Sequence, residues 1–221
     1  MKQDKAAIRK AMRERRRALP AGTVEEAGRA ACALAARWAE FRRTGTLLAY
    51  AATDNEVPTG PLIEEAWRQG KRVFLPATGS DGITFRCHRP GTVLVPGRFG
   101  IPEATGEPFE PEADGEVMIV TPLLAWDLRG GRLGRGGGYY DRCLRRLTGR
   151  AVVAGFGYEF QECALVPMDD RDELLDFVVS ERRIVRCGAD VRSARNRKDR
   201  SDGLLRDSHQ PVRRHHSRLG T

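Results

Sequence analysis

Apolar residues fall along this chain either on helical stripes or in short unbroken runs, and the changes between the two delimit its elements. Ile8, Ala11, Met12 and Leu19 fall on one stripe of a helix predicted over 3–19, and basic residues cover the rest. Pro20-Ala21-Gly22 closes it. Thr23 then reads as an N-cap, with Glu25 and Glu26 in the first turn of an alanine-rich helix reaching Phe41. Residues 46–51 (TLLAYA) form an apolar run of strand length. A helix over 61–69 follows, with Pro61 in its first turn and Gly70 at its end, and 72–75 (RVFL) is the next strand.

Residues 79–115 hold many Gly and Pro with short β-like pieces (ITFRC, TVLV) and read as a loop-rich insertion. The run 117–121 (VMIVT) predicts a buried strand, 139–147 a helix and 151–156 (AVVAGF) another buried strand. Two further short strands are predicted over 177–180 and 183–185. This strand–helix–strand rhythm implies an α/β fold, a mostly parallel sheet with helices on its faces. From about Cys187 the apolar content collapses into RSARNRKDRSD and PVRRHHSR. The expected organisation is one domain over 1–186 and a basic, disordered tail over 187–221.

Composition narrows the function classes. With 221 residues, 40% hydrophobic and 31% charged, the chain can build a single sizeable core. No apolar run approaches the ~20 residues of a membrane helix. The charged N-terminus also lacks the apolar core of a secretory signal, so a cytoplasmic location is expected. The net charge of +8 divides unevenly, as +6 over residues 1–20, −3 over 21–186 and +5 over 187–221. Nucleic-acid binding would therefore rest on basic runs at 13–17 and 192–200. The acidic body and the lack of aromatics in those runs argue against it. The five cysteines are widely separated with no C-x-x-C, which disfavours a zinc ribbon, a redox motif or a disulfide framework. His209, His215 and His216 lie in the tail, leaving His88 too isolated for a histidine metal site or a Ser–His–Asp triad.

The strongest chemical signal is 121–142, TPLLAWDLRGGRLGRGGGYYDR. A strand runs into Pro122, Asp127 opens a loop containing six glycines, and a helix starts at Tyr139. Such a loop lets the backbone adopt φ > 0 and aims unpaired N–H groups and the helix dipole at an anion. Arg132 and Arg135 add complementary charge. A flexible glycine hairpin is the other reading of the same composition. The segment matches neither the P-loop pattern nor the dinucleotide fingerprint, where Tyr139 replaces the last glycine.

The string GRLGRGGGYYDR resembles the signature of the 5-formyltetrahydrofolate cyclo-ligase (5,10-methenyltetrahydrofolate synthetase) family. Four further segments are similar in the right order: K-x-x-x-R at Lys5 and Arg9, YAATDNEV over 50–57, FGIPE over 99–103, and VPMDDRDELLDFVV over 166–179. The resemblance implies a three-layer, Rossmann-like α/β domain of the sugar-phosphate isomerase and CoA-transferase type. It implies conversion of 5-formyltetrahydrofolate, and of its polyglutamates, to 5,10-methenyltetrahydrofolate with ATP and Mg2+, by a chain expected to be monomeric. It casts Lys5, Arg9, Gly134, Arg135, Gly136, Gly137, Gly138, Tyr139 and Tyr140 as the ATP site. Ala51 and Glu56 join Gly136–Tyr140 at the folate, Glu56, Arg135 and Tyr140 take catalytic roles, and Asp141 and Asp172 hold the metal.

The chain departs from the family pattern at three places. Trp126 replaces a phenylalanine, which implies a reshaped folate pocket. Arg171 replaces a histidine, and Gly137 stands where some relatives have lysine, which leaves the phosphate clamp to Arg135 and Lys5. Two other readings remain open at this point. One is a phosphate-binding isomerase or CoA-transferase-like enzyme on the same fold, and the other is a nucleic-acid-binding protein acting through its basic ends.

Overall fold

The computed structural model describes residues 4–79, 82–111 and 116–188. The chain gathers into one unit ending at Cys187 and a second from Gly188 onward. Apart from residues 187 and 188, the expected basic tail lies outside the described residues.

Among the described residues five α-helices form: α1 (Lys5–Arg17), α2 (Ala21–Arg37), α3 (Ala39–Arg43), α4 (Gly60–Arg68) and α5 (Tyr139–Arg146). The main sheet contains β1 (Thr46–Leu48), β2 (Arg72–Gly79) and β3 (Gly82–Cys87). After two short strands, β4 (Val95–Pro96) and β5 (Pro102–Glu103), comes β6 (Val117–Pro122) of the same sheet. A small hairpin, β7 (Ala125–Trp126) with β8 (Arg132–Leu133), precedes β9 (Ala151–Phe156), β10 (Phe177–Val179) and β11 (Ile184–Arg186). The order is β11-β10-β9-β6-β1-β2-β3, with the middle five strands parallel and β11 and β3 antiparallel at the edges.

Parallel strands are stable only when both faces are covered, and alternating apolar side chains provide for that here. Leu47, Val73, Leu75, Met118 and Val120 face one layer, where Ala31 and Ala35 of α2 and Leu62 and Ala66 of α4 pack. Leu48, Phe74, Val117 and Ile119 face the other, against Leu144 of α5, Trp126 and Leu175. The expected mostly parallel α/β layering is therefore what forms. Helix α1 sits apart from both layers, where Ile8 buries against Ala125, Leu133 and Val166.

Several boundaries move for local reasons. Asp4 caps α1, its side chain accepting from the N–H of Ala6. Thr23 is not an N-cap. Proline fixes φ near its helical value, so Pro20 opens α2 with an extended ψ of 147° and accepts from the N–H of Val24. The long helix expected to reach Phe41 breaks at Trp38, whose ψ of 138° separates α2 from α3. The supposed insertion is partly sheet, because ITFRC is β3 and zips onto β2 as a hairpin. Of TVLV only Val95 enters a strand. No helix among the described residues is long and apolar enough to cross a membrane.

Trp126 is fully buried, and its indole N–H donates to the carbonyl of Tyr158 at 3.2 Å. Trp126→Phe removes that donor and leaves a void, so we expect a loss of about 2–3 kcal/mol in urea unfolding. An unchanged midpoint would show that the indole contributes no net stability.

Candidate active site

The site follows from the strand order. Connections run outward in opposite directions from β1 and β6, so these adjacent parallel strands form a switch point, and the loops leaving their carboxyl ends frame a crevice. Beyond β1, Ala49 still donates to Phe74, and the chain then leaves the sheet into a turn through Asp54 and Asn55. Both adopt left-handed φ (54° and 55°), which Asp and Asn tolerate better than other non-glycine residues. The Tyr50 hydroxyl donates to the Val57 carbonyl at 2.6 Å, and Asn55 Nδ2 donates to the carbonyls of Arg16 and Leu19 at the end of α1. So braced, the turn delivers Glu56, only 6% exposed, with its Oε2 accepting the N–H of Thr53 at 3.1 Å.

Beyond β6 the chain makes the β7–β8 hairpin. Its turn is tied by Asp127, which is fully buried and accepts N–H groups of Arg129, Gly131 and Val166, so this residue is architectural. The glycine loop follows. Gly136 (φ 107°) and Gly138 (φ 64°) hold conformations that side chains rarely adopt, and Gly138 opens α5 with no side chain capping it. Arg9 Nε donates to the Gly134 carbonyl at 2.9 Å, which joins α1 to the loop.

The result is a cleft of about 900 Å³. Lys5, Arg9, Ala51, Glu56, Gly134–Tyr140, Asp141 and Asp172 all line it, from segments up to 167 residues apart. Trp126 does not, so the expectation that it reshapes the pocket is corrected: its ring points into the core beneath. Arg171 does line the cleft. Sequence reasoning passed over Tyr50, Thr53, Ile83, Arg142, Arg145 and Asp169, which line it as well. Thr53 lies inside the quoted YAATDNEV string and Asp169 three residues before Asp172, so proximity to the motifs was their one signal. Ile83 comes from β3, which had been read as an insertion.

Seven cationic side chains and five carboxylates line the cleft, an excess that suits an anionic ligand. Several are paired with one another. Lys5 Nζ bonds Asp172 at 2.5 Å and Asp169 at 2.9 Å, Arg132 bonds Asp141 at 2.7 Å, and Arg135 bonds Glu56 at 3.0 Å and Thr53 at 2.5 Å. Burial works against the charge of Lys5, but the hydrogen bonds of Asp172 and Asp169 outweigh it and hold its pKa above the usual value. Burial pushes the Tyr50 and Tyr140 phenols well up, with the Glu56 charge adding to it, so both stay protonated and able to donate.

Two of these carboxylates suit a magnesium ion. Among the described residues no three acids, histidines or cysteines gather as a metal cage. Asp141 and Asp172 nevertheless open into the same cleft, and the N–H of Glu173, next to Asp172, donates to Asp141 at 3.3 Å. One or two carboxylates, completed by water and phosphate oxygens, is what magnesium asks of a protein.

A cationic crevice at the switch point of a mostly parallel sheet, walled by a glycine loop entering a helix, defines an α/β enzyme of small anionic substrates. The family model for the 5-formyltetrahydrofolate cyclo-ligase family matches residues 1–181, and the chain belongs to that family. It is 32% identical to the 5-formyltetrahydrofolate cyclo-ligase of Escherichia coli K12 over 179 residues, which is 78% of this chain and 98% of the relative. Its fold is similar to the 5,10-methenyltetrahydrofolate synthetase of Aquifex aeolicus, with TM-score 0.72 and 29% identity over 97% of this chain and 99% of that one. The Mycoplasma pneumoniae 5,10-methenyltetrahydrofolate synthetase is also similar, with TM-score 0.66 and 26% identity over 81% and 99% of the two chains.

The turn bearing Glu56 makes a pH-dependent contribution to stability. Burial raises the pKa of Asp54, yet hydrogen bonds and charge from Arg17 and Arg16 win and hold the carboxyl below its usual value. A lowered folded pKa stabilises the fold above the unfolded value, and that contribution is lost as pH falls through the folded one. Asp54→Asn keeps a residue suited to left-handed φ, so at pH 7 it should cost about 1–3 kcal/mol in urea unfolding. The gap from wild type should close below about pH 4. A gap that persists unchanged into acid would mean the ion pairs are not its source.

Proposed function

We propose that this chain uses ATP and Mg2+ to convert 5-formyltetrahydrofolate to 5,10-methenyltetrahydrofolate. One observation carries the reading. A single cleft brings a phosphate-suited end (Lys5, Arg9 and the loop over Gly134–Gly138) against a buried carboxylate, Glu56, with Arg135 reaching across between them.

A formamide oxygen is a poor leaving group, and the γ-phosphoryl group of ATP corrects that. The formyl oxygen attacks the γ-phosphorus and ADP departs, leaving an imidate-like phosphate on N5. N10 then attacks the formyl carbon and loses its proton, and inorganic phosphate leaves as the five-membered ring closes. The work asked of the protein is positioning and charge stabilisation. Lys5, Arg9 and Arg135 take the phosphate oxygens, and the backbone N–H groups around Gly136–Tyr139 add donors at the start of α5. Glu56 accepts hydrogen bonds from folate N–H groups beside the reacting nitrogens, and Ala51 leaves room for the ring. Tyr140, held protonated, donates toward the formyl oxygen. Asp141 and Asp172 would hold Mg2+, which when bound neutralises charge on the β- and γ-phosphates. Lys5 and Arg132, freed from these acids, turn to the nucleotide.

Absorbance of the methenyl product, followed with and without ATP, tests the reaction directly, and an ATP-independent or flat trace from folded protein would overturn it. In the same assay Glu56→Gln and Asp172→Asn should each lower turnover on the order of 10²-fold without changing the melting temperature by more than a few degrees. Wild-type rates in both variants would remove these residues from the site.

A further inference from the structure

Arg16 lies in the basic run RERRR, yet its side chain is 1% exposed while that of Arg17 is 63% exposed. It stands seven residues after Arg9 and eleven after Lys5, about two and three helical turns, so all three share the face of α1 turned toward the cleft. Its guanidinium reaches Asp54 Oδ2 at 2.9 Å, donates to the Leu123 carbonyl at 3.4 Å, and lies 3.7 Å from Glu56 Oε1. Its Nε is buried with no hydrogen-bond partner. Packing alone gives no reason for this. An apolar side chain of similar volume would fill the space without burying an ion.

Glu56 Oε1 thus sits between two guanidiniums of different character. Arg135 belongs to the glycine loop and is 43% exposed, so it can turn to a phosphate. Arg16 cannot leave. It is part of α1, and Asn55 fastens the Glu56 turn to the carbonyls of Arg16 on that helix and of Leu19 just beyond it. Burying a carboxylate is costly unless a charge is paired with it, and Arg16 is the partner that stays.

We infer that Arg16 is a positioning residue for the reaction: it stays paired with Glu56 and keeps it aimed at the folate end of the cleft once Arg135 has turned to the nucleotide phosphates. The inference rests on the folate reading proposed above. It also gives α1 two tasks from one rigid face, with Lys5 and Arg9 at the phosphates and Arg16 behind the folate carboxylate.

The test is a double-mutant cycle. Arg16→Met, Arg16→Lys, Glu56→Gln and the double variant Arg16→Met/Glu56→Gln are compared for KM of each substrate, for 5-formyltetrahydrofolate affinity by tryptophan fluorescence, and for melting temperature. Arg16→Met should raise KM for the folate about 10-fold or more and leave KM for ATP within about 2-fold. Arg16→Lys, which keeps the charge, should recover part of the loss, and it replaces the methionine variant if that does not fold. In the Glu56→Gln background the Arg16 substitution should weaken folate binding by no more than about 2-fold further, because its target is gone. Arg17→Ala, which breaks only an exposed contact to Asp54, should keep wild-type kinetics. Full additivity in the cycle, or a fall in melting temperature with both KM values unchanged, would overturn the role. Wild-type protein that binds the folate without ATP-dependent turnover would overturn the proposed reaction, and the binding cycle then decides Arg16 by itself. Failure of wild type to bind the folate would overturn both.

Discussion

The parallel pairing of β1 with β6 is the constraint on which the site depends. Thr46, Leu47 and Leu48 register against Val117, Met118 and Ile119, so the loops leaving the two strands start on the same side of the sheet, β6 running on to Pro122. Because the connections diverge from this pair, a gap opens beyond their carboxyl ends. The β1 loop brings Glu56 into it and the β6 loop brings the glycines, although 68 residues lie between the two strands. Burial of alternating leucine, isoleucine and valine on both faces, worth about 1.5–3 kcal/mol for each side chain, holds the pair in register.

Helix α1 completes the cleft from outside the sheet layers. Its apolar stripe is thin, and Ile8 is its buried hydrophobic anchor. Polar ties do the rest: Lys5 to Asp169 and Asp172, Arg9 to Gly134, and Arg16 to Asp54 and Leu123. Each joins α1 to a segment distant in sequence, so one helix gathers the three loops that line the site. A helix held mainly by charge is a natural place for groups that exchange partners when a polyanion arrives, since the pairing energy is not lost but transferred.

Three of the cleft's cations are matched by its carboxylates without a ligand. Lys5 with Asp172, Arg132 with Asp141 and Arg135 with Glu56 make a mutually neutralised lining that keeps buried and half-buried ions from standing alone. A nucleotide with its metal brings both signs at once, so cations and carboxylates can change partners together and the desolvation cost of an unpaired charge is avoided.

Much of this was legible locally. Unbroken apolar runs marked β6 and β9, Pro61 and Gly70 bracketed α4, and the density of glycines before Tyr139 foretold left-handed backbone at Gly136 and Gly138. These features depend on neighbours a few residues away, which sequence displays. What tertiary structure alone decided depends on distant partners. The strand ITFRC became an edge of the main sheet because β2 was there to pair with it, and Trp126 went into the core rather than the pocket because the carbonyl of Tyr158 and the second layer received it. Asp127, adjacent to the glycine loop, proved to be a brace for that loop's hairpin. Arg16, one of four arginines in a basic run, was indistinguishable in sequence from solvated charge. Only the fold, by bringing the β1 turn under α1, made it a buried ion beside Glu56.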